Sequence, residues 1–123
     1  MNERASSILI IDDSPEIISL LGHILSESGK IVSARSGTEG IKLAVSENPD
    51  LILLDVMMPG MDGFEVCTKL KLDLRTQNIP VIFLTAMDRE EDEIKGLELG
   101  AVDFIPKPIK VPIVQAMVKT HLK

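Results

Sequence analysis

The run Leu51-Ile52-Leu53-Leu54-Asp55-Val56-Met57-Met58-Pro59-Gly60-Met61-Asp62-Gly63 decides the fold. Four large aliphatic residues in succession leave no alternation of apolar and polar positions, so both faces of the segment must be covered. That pattern marks an inner strand of a parallel sheet rather than a hairpin strand with one wet face. Pro59-Gly60 and Asp62-Gly63 then break the chain into a loop. Asp55 therefore stands at the carboxyl end of an inner strand, where open α/β sheets bind their ligands. A carboxylate so close to a packed interior is costly unless a cation or hydrogen bonds offset it.

The segments on either side repeat the pattern. Upstream, Ser7-Ile8-Leu9-Ile10-Ile11 reads as a buried strand that ends at Asp12-Asp13. Downstream, Ile79-Pro80-Val81-Ile82-Phe83-Leu84-Thr85 is another, ending in a hydroxyl. Two shorter strands, Lys30-Ile31-Val32-Ser33-Ala34 and Val102-Asp103-Phe104-Ile105, complete the set, and the second runs into Pro106-Lys107-Pro108. Helices fill the gaps. The first opens at Ser14-Pro15-Glu16, with a capping hydroxyl, a proline suited to the first turn and an acid at the positive end of the dipole. It carries Ile17, Ile18, Leu20, Leu21, Ile24 and Leu25 at helical spacing, and Gly29 is the expected stop. The second runs from Ser36-Gly37-Thr38 to Asn48-Pro49. The third spans about Gly63 to Asp73, with Phe64, Val66, Cys67 and Leu70 inward. A more polar fourth covers Asp88 to Leu99, with Ile94, Leu97 and Leu99 as its apolar contribution. The fifth runs from Val111 to Leu122.

Strands alternating with helices in this way predict an α/β fold: a five-stranded parallel sheet, doubly wound, with five helices and right-handed crossovers. The expected order is 2-1-3-4-5, the flavodoxin-like arrangement, whose switch point lies between the first and third strands. Those are the strands that end in Asp12-Asp13 and Asp55. Residues 1–6 read as a loose terminus and 1–123 as a single domain.

Composition narrows the function classes. The 123 residues carry a formal net charge of −6 and no lysine or arginine cluster, so no nucleic-acid surface is expected. No apolar run approaches the roughly 18 residues of a membrane span, and the polar Met1-Asn2-Glu3-Arg4 gives no sign of a signal peptide. A single cysteine, Cys67, forms no internal disulfide and suits a reducing compartment. The expected setting is cytoplasmic.

Carboxylates gathered at one strand edge repel one another, and a hard divalent cation relieves them. Magnesium takes one or two carboxylates and a phosphate oxygen while keeping several waters, which suits phosphoryl transfer. Lys107 can bring a fixed positive charge to the same edge, and Thr85 a hydroxyl donor. Asp55 is then the candidate nucleophile. Taken singly, an acidic pair before a helix, a threonine at a strand end and a surface lysine are ordinary. Their shared placement at one edge is not.

Asp12-Asp13 after the first strand, Asp55 in Leu-Leu-Asp-Val-Met-Met-Pro-Gly-Met-Asp-Gly, Thr85-Ala86 and Lys107-Pro108 together resemble a receiver domain of two-component response regulators, the CheY-like family, over residues 7–122. The resemblance implies that Asp55 accepts a phosphoryl group from the phosphohistidine of a histidine kinase or phosphotransfer protein, in a Mg2+-dependent reaction. The chain would catalyse only its own phosphorylation and dephosphorylation. Asp13 and the backbone carbonyl of Met57 would hold Mg2+ alongside Asp55, with Asp12 near or through water. Thr85 and Lys107 would bind the phosphoryl oxygens. The bond before Pro108 would be cis, a form taken by about 5–6% of X–Pro bonds. Phe104 matches the family's switch aromatic, which moves inward when Thr85 is drawn to the phosphate. The fourth helix, fifth strand and fifth helix would then change their surface toward an output domain, a target protein or a second copy in a homodimer. Met57 and Met87, two residues after Asp55 and Thr85, match positions flanking the route of the hydrolytic water, and two thioethers there predict slow self-dephosphorylation. The stretch from Gly63-Phe64-Glu65-Val66-Cys67 through Thr120-His121-Leu122 is similar to receivers that precede cyclic-di-nucleotide enzymes or sit on hybrid kinases.

Rival readings meet specific obstacles. A flavin carrier of this fold needs a Ser/Thr/Gly-rich phosphate loop after the first strand, where this chain has Asp12-Asp13-Ser14-Pro15. A phosphatase with an aspartyl nucleophile usually places a second acid two residues on, and Met57 is there. The remaining alternative is a degenerate receiver that binds partners without phosphorylation, which the full set of polar residues disfavours.

Overall fold

The computed structural model describes residues 6–86 and 90–122. Its elements are β1 (Ser7–Ile11), α1 (Pro15–Ile24), β2 (Lys30–Ala34), α2 (Gly37–Glu47), β3 (Leu51–Asp55), α3 (Gly63–Leu72), β4 (Val81–Thr85), α4 (Glu90–Glu98), β5 (Asp103–Pro106) and α5 (Val111–His121). The five strands form one parallel sheet in the order β2-β1-β3-β4-β5. This is the doubly wound, flavodoxin-like arrangement expected from the sequence.

The unbroken apolar runs are explained by two cores, one on each face of the sheet. On β3, Ile52 and Leu54 join the side covered by α2 and α3, with Ala44, Val66, Cys67 and Leu70. Leu51 and Leu53 join the side covered by α1 and α5, with Leu21, Leu25, Val114 and Val118. Leu51, Ile52, Leu53 and Leu54 have no exposed surface, and burying a side chain of that size contributes roughly 1.5–3 kcal/mol.

Caps fix where the helices begin. Ser14 accepts from the Ile17 amide, Ser36 from Glu39 and Asp62 from Glu65, satisfying donors that have no partner within the helix. Two expectations need correction. Helix α1 stops at Ile24 with Leu25 as its cap, not at Gly29. Gly29 serves a close approach: a Cβ there would collide with the Ser6 carbonyl, which accepts the Lys30 amide at 2.7 Å. Ser6 is thereby tied down, although residues 1–6 read as loose. The second correction concerns α4. Ile94 and Leu97 are 55% and 53% exposed, and the buried residue of the helix is Gly96.

Among the described residues, no helix is long and apolar enough to cross a membrane.

Candidate functional site

Parallel register brings the polar residues to one edge. Ile11 pairs with Leu54, Asp55 with Leu84, and Thr85 with Pro106. Asp12 and Asp13 therefore leave β1 beside Asp55 at the end of β3, and Lys107 leaves β5 beside Thr85 at the end of β4. Carboxylate oxygens of Asp12, Asp13 and Asp55 lie within 4.8 Å of one another. Asp12 and Asp55 are buried, and Asp13 is more open.

Lys107 enters this cluster from the side. Its Nζ donates to Asp12 Oδ2 at 3.0 Å and lies 3.3 Å from Asp55 Oδ1. The other Asp12 oxygen accepts the Ser14 amide at 2.9 Å, so both oxygens of that buried acid are engaged. The Met57 amide donates to Asp55 Oδ1 at 3.4 Å. One ammonium among three carboxylates leaves the site with excess negative charge. Asp55 shows the effect: burial first, then the charge of Asp12, raises its pKa from 3.8 to about 6, although Lys107 and the Met57 amide pull it down.

Thr85 is buried at the end of β4, and its carbonyl accepts the Lys107 amide at 2.7 Å. The two residues are thus held together through the backbone. The Lys107–Pro108 bond is cis. Phe104 is 9% exposed, and its ring stacks on Phe83 with centroids 5.7 Å apart. The Met57 residue is 68% exposed, while Met87 lies outside the described residues.

Two contributors escaped the sequence reading. The Arg35 guanidinium donates to the Asp13 carbonyl at 3.4 Å. Strand order could have found it, because β2 flanks β1 and Arg35 directly follows Ala34, the partner of Ile11. Gly63 starts α3 so close to the acceptor strand that a Cβ would strike the Asp55 carbonyl. The Gly63 amide donates to the Val56 carbonyl at 2.9 Å, which fixes the loop after Asp55.

The donor set fits magnesium. It consists of carboxylate oxygens with no nitrogen or sulfur ligand, clustered within the span of one coordination shell and short of positive charge.

Comparison with known proteins agrees with this geometry. The family description "response regulator receiver domain" matches residues 8–119. A probable cyclic di-GMP phosphodiesterase of Vibrio cholerae is 44% identical over 117 residues, covering 95% of this chain and 26% of that protein. The alkaline phosphatase synthesis transcriptional regulatory protein PhoP of Bacillus subtilis is 45% identical over 126 residues, covering 100% of this chain and 50% of that protein. The chain thus spans a half or less of these relatives' length. The solved receiver domain of a signal transduction histidine kinase from Syntrophus aciditrophicus superposes with a TM-score of 0.85 at 42% identity, covering 96% of this chain and 90% of that one.

Proposed function

We propose that this chain, which belongs to the response regulator receiver domain family, is a phosphoacceptor whose acceptor is Asp55. As a receiver of a two-component system, it takes its signal from a histidine kinase or phosphotransfer protein. The observation that carries the assignment is the placement of Asp55 at the end of an inner strand, with Asp12, Asp13 and Lys107 around its carboxylate. The domain is taken to run over 1–123 and to work in the cytoplasm.

The reaction needs an ionised Asp55. An Asp55 carboxylate oxygen attacks the phosphorus of the donor phosphohistidine. The new P–O bond forms as the P–N bond breaks, and the released imidazole takes a proton from solvent. A pKa of about 6 leaves Asp55 mostly ionised at neutral pH. Lys107 offers its ammonium to the phosphoryl oxygens, and Thr85 its hydroxyl. Bound Mg2+ supplies charge neutralisation for the transferred group. Asp13 and Asp55 would hold it with the Met57 carbonyl. Asp12, whose oxygens already serve Ser14 and Lys107, would act through water.

Phosphorylation adds roughly 1.5–2 negative charges and strong acceptors at Asp55. Thr85 and Lys107 gain contacts only in that state, which shifts the equilibrium of the surface behind them. Three exposures support α4-β5-α5 as the surface read by an output domain, a target or a second copy: Ile94 at 55% and Leu97 at 53% on α4, and Val111 at 44% on α5. The relatives place receivers of this kind in proteins of different output, a phosphodiesterase and a transcriptional regulator by their names.

The test is intact mass after incubation with acetyl phosphate and Mg2+, beside Asp55→Asn. One added phosphoryl group, lost with a chelator and lost in the variant, is expected. A folded protein that takes none leaves the phosphorylation-independent binding module as its function.

A further inference from the structure

Helix α4 meets the sheet through a glycine. Gly96 is the buried residue of that helix, and beneath it lie the stacked rings of Phe83 and Phe104, inclined by 28°. A Cβ built on Gly96 would stand 2.6 Å from Phe104 Cζ and 3.0 Å from Phe83 Cδ2. Both distances are shorter than carbon–carbon contact at roughly 3.5–4.0 Å. The buried ring of Phe104 and a side chain at position 96 therefore exclude each other.

We propose that Gly96 is a positioning residue of the Phe104 switch. Its missing side chain is the socket that the inward ring occupies, and this contact couples α4 to the phosphoacceptor. The inference rests on the reading of Asp55 as acceptor and of Thr85 and Phe104 as its relay. Linkage supplies the consequence. If the inward ring accompanies the phosphoryl group, a change that expels the ring weakens that group's binding by the same factor.

Intrinsic helix propensity argues the other way, which makes the proposal distinguishable from a structural role. Glycine in a helix interior costs about 1 kcal/mol relative to alanine, so Gly96→Ala would strengthen α4 if nothing opposed it. The alanine methyl meets a ring end that can swing away and a buried Phe83 that can yield only a few tenths of an ångström. The Phe104 ring is the part that moves.

The experiment uses the full chain with Mg2+ and beryllofluoride as a phosphoryl analogue, and compares wild type, Gly96→Ala, Phe104→Leu and the double variant. NMR reads the proximity of the Phe83 and Phe104 rings and the affinity for the analogue. In Gly96→Ala the ring–ring cross-peaks disappear and the affinity falls about tenfold. In the double variant the shorter leucine leaves room for the methyl, and affinity returns to about that of Phe104→Leu. Cross-peaks retained in Gly96→Ala overturn the proposal, as does a double variant that binds the analogue clearly more weakly than Phe104→Leu alone. Should Gly96→Ala fail to fold, a folded double variant supports the socket and an unfolded one overturns it. A wild type that neither binds the analogue nor gains mass refutes the phosphoacceptor reading instead, and the cross-peaks still decide the socket.

Discussion

The Lys107 ammonium lies closer to Asp12 than to Asp55, at 3.0 Å against 3.3 Å. Burial works to lower the pKa of Lys107, but its hydrogen bond to Asp12 and the charges of both acids outweigh this and raise it. Lys107 therefore has a place in the site beyond the phosphoryl contact proposed for it. It is the counter-ion of a fully buried carboxylate.

Removing it exposes that second role. Among the described residues, Lys107→Ala leaves Asp12 with the Ser14 amide as its donor and removes the ammonium beside Asp55. Losing one partner of a buried pair costs several kcal/mol in closed interiors. This site opens toward solvent, so a loss of about 2 kcal/mol is expected in chelator. Saturating Mg2+ should recover a large part, because the ion supplies the missing charge. Urea unfolding with EDTA and with Mg2+ reads both. An equal loss in the two buffers would mean that Lys107 contributes packing rather than charge.

Asp55 carries an opposite liability. Its pKa is raised in the folded state to about 6, so the fold favours the protonated acid. Below about pH 4 the group is neutral in both states and costs nothing. Above about pH 6 it is ionised in both, and the full penalty stands. Stability from this group therefore falls as pH rises through that window. Asp55→Asn cannot ionise and escapes the penalty. The ceiling is about 3 kcal/mol at 1.36 kcal/mol per pKa unit, and solvent at the mouth of the site screens it to about 1–2 kcal/mol. In chelator the variant should exceed wild type at pH 7.5 and match it near pH 4. A gap that does not change with pH would remove the electrostatic account.

The site was legible because charge interrupts hydrophobicity at strand ends. Leu51 to Leu54 required cover on two faces, and Asp55 could only sit where that cover stopped. The same logic placed Asp12-Asp13, Thr85 and Lys107. It was incomplete at α4, where Ile94, Leu97 and Leu99 read as the apolar contribution: Leu99 packs against the core, while Ile94 and Leu97 stay exposed. The inward position belongs to Gly96, since the large rings of Phe83 and Phe104 already fill the space beneath the helix. Local periodicity cannot register a volume occupied from the sheet side. Gly29 failed for a related reason: the stop signal was a glycine, but Ser6, distant in sequence, was what required it. Arg35 was passed over because its neighbour Asp13 follows a different strand, and only the pairing of β1 with β2 brings the two strand ends together.

Cys67 gives a direct check on the α3 packing. Its side chain has no exposed surface, and its thiol makes a 3.7 Å contact with the Leu99 carbonyl. Burial pushes the thiol pKa up, with the Lys71 charge a smaller opposing pull, so the reactive thiolate is scarce. An aromatic disulfide reagent at pH 8 should leave the native protein unmodified and titrate one thiol per chain in denaturant. Rapid native labelling would show that α3 opens far more readily than its buried contacts imply.

The last expectation concerns how long a phosphorylated state would persist. Met57 holds Asp55 through its backbone amide, while the residue remains largely exposed beside the acidic cluster. A thioether is a weak acceptor with no N–H or O–H to donate, so it can crowd an approaching water but not orient it. Met87, the second of the pair, adds another thioether by sequence. Hydrolysis of the aspartyl phosphate then lacks a side chain that positions the attacking water at either place, and the purified phosphoprotein should outlast minutes. Met57→Asn with Met87→Glu supplies an amide and a carboxylate, and the decay followed by intact mass after acetyl phosphate removal should quicken about tenfold or more, within the span of a positioned proton acceptor. Loss within minutes in wild type, unchanged by the double substitution, would show that the water is governed from elsewhere in the site.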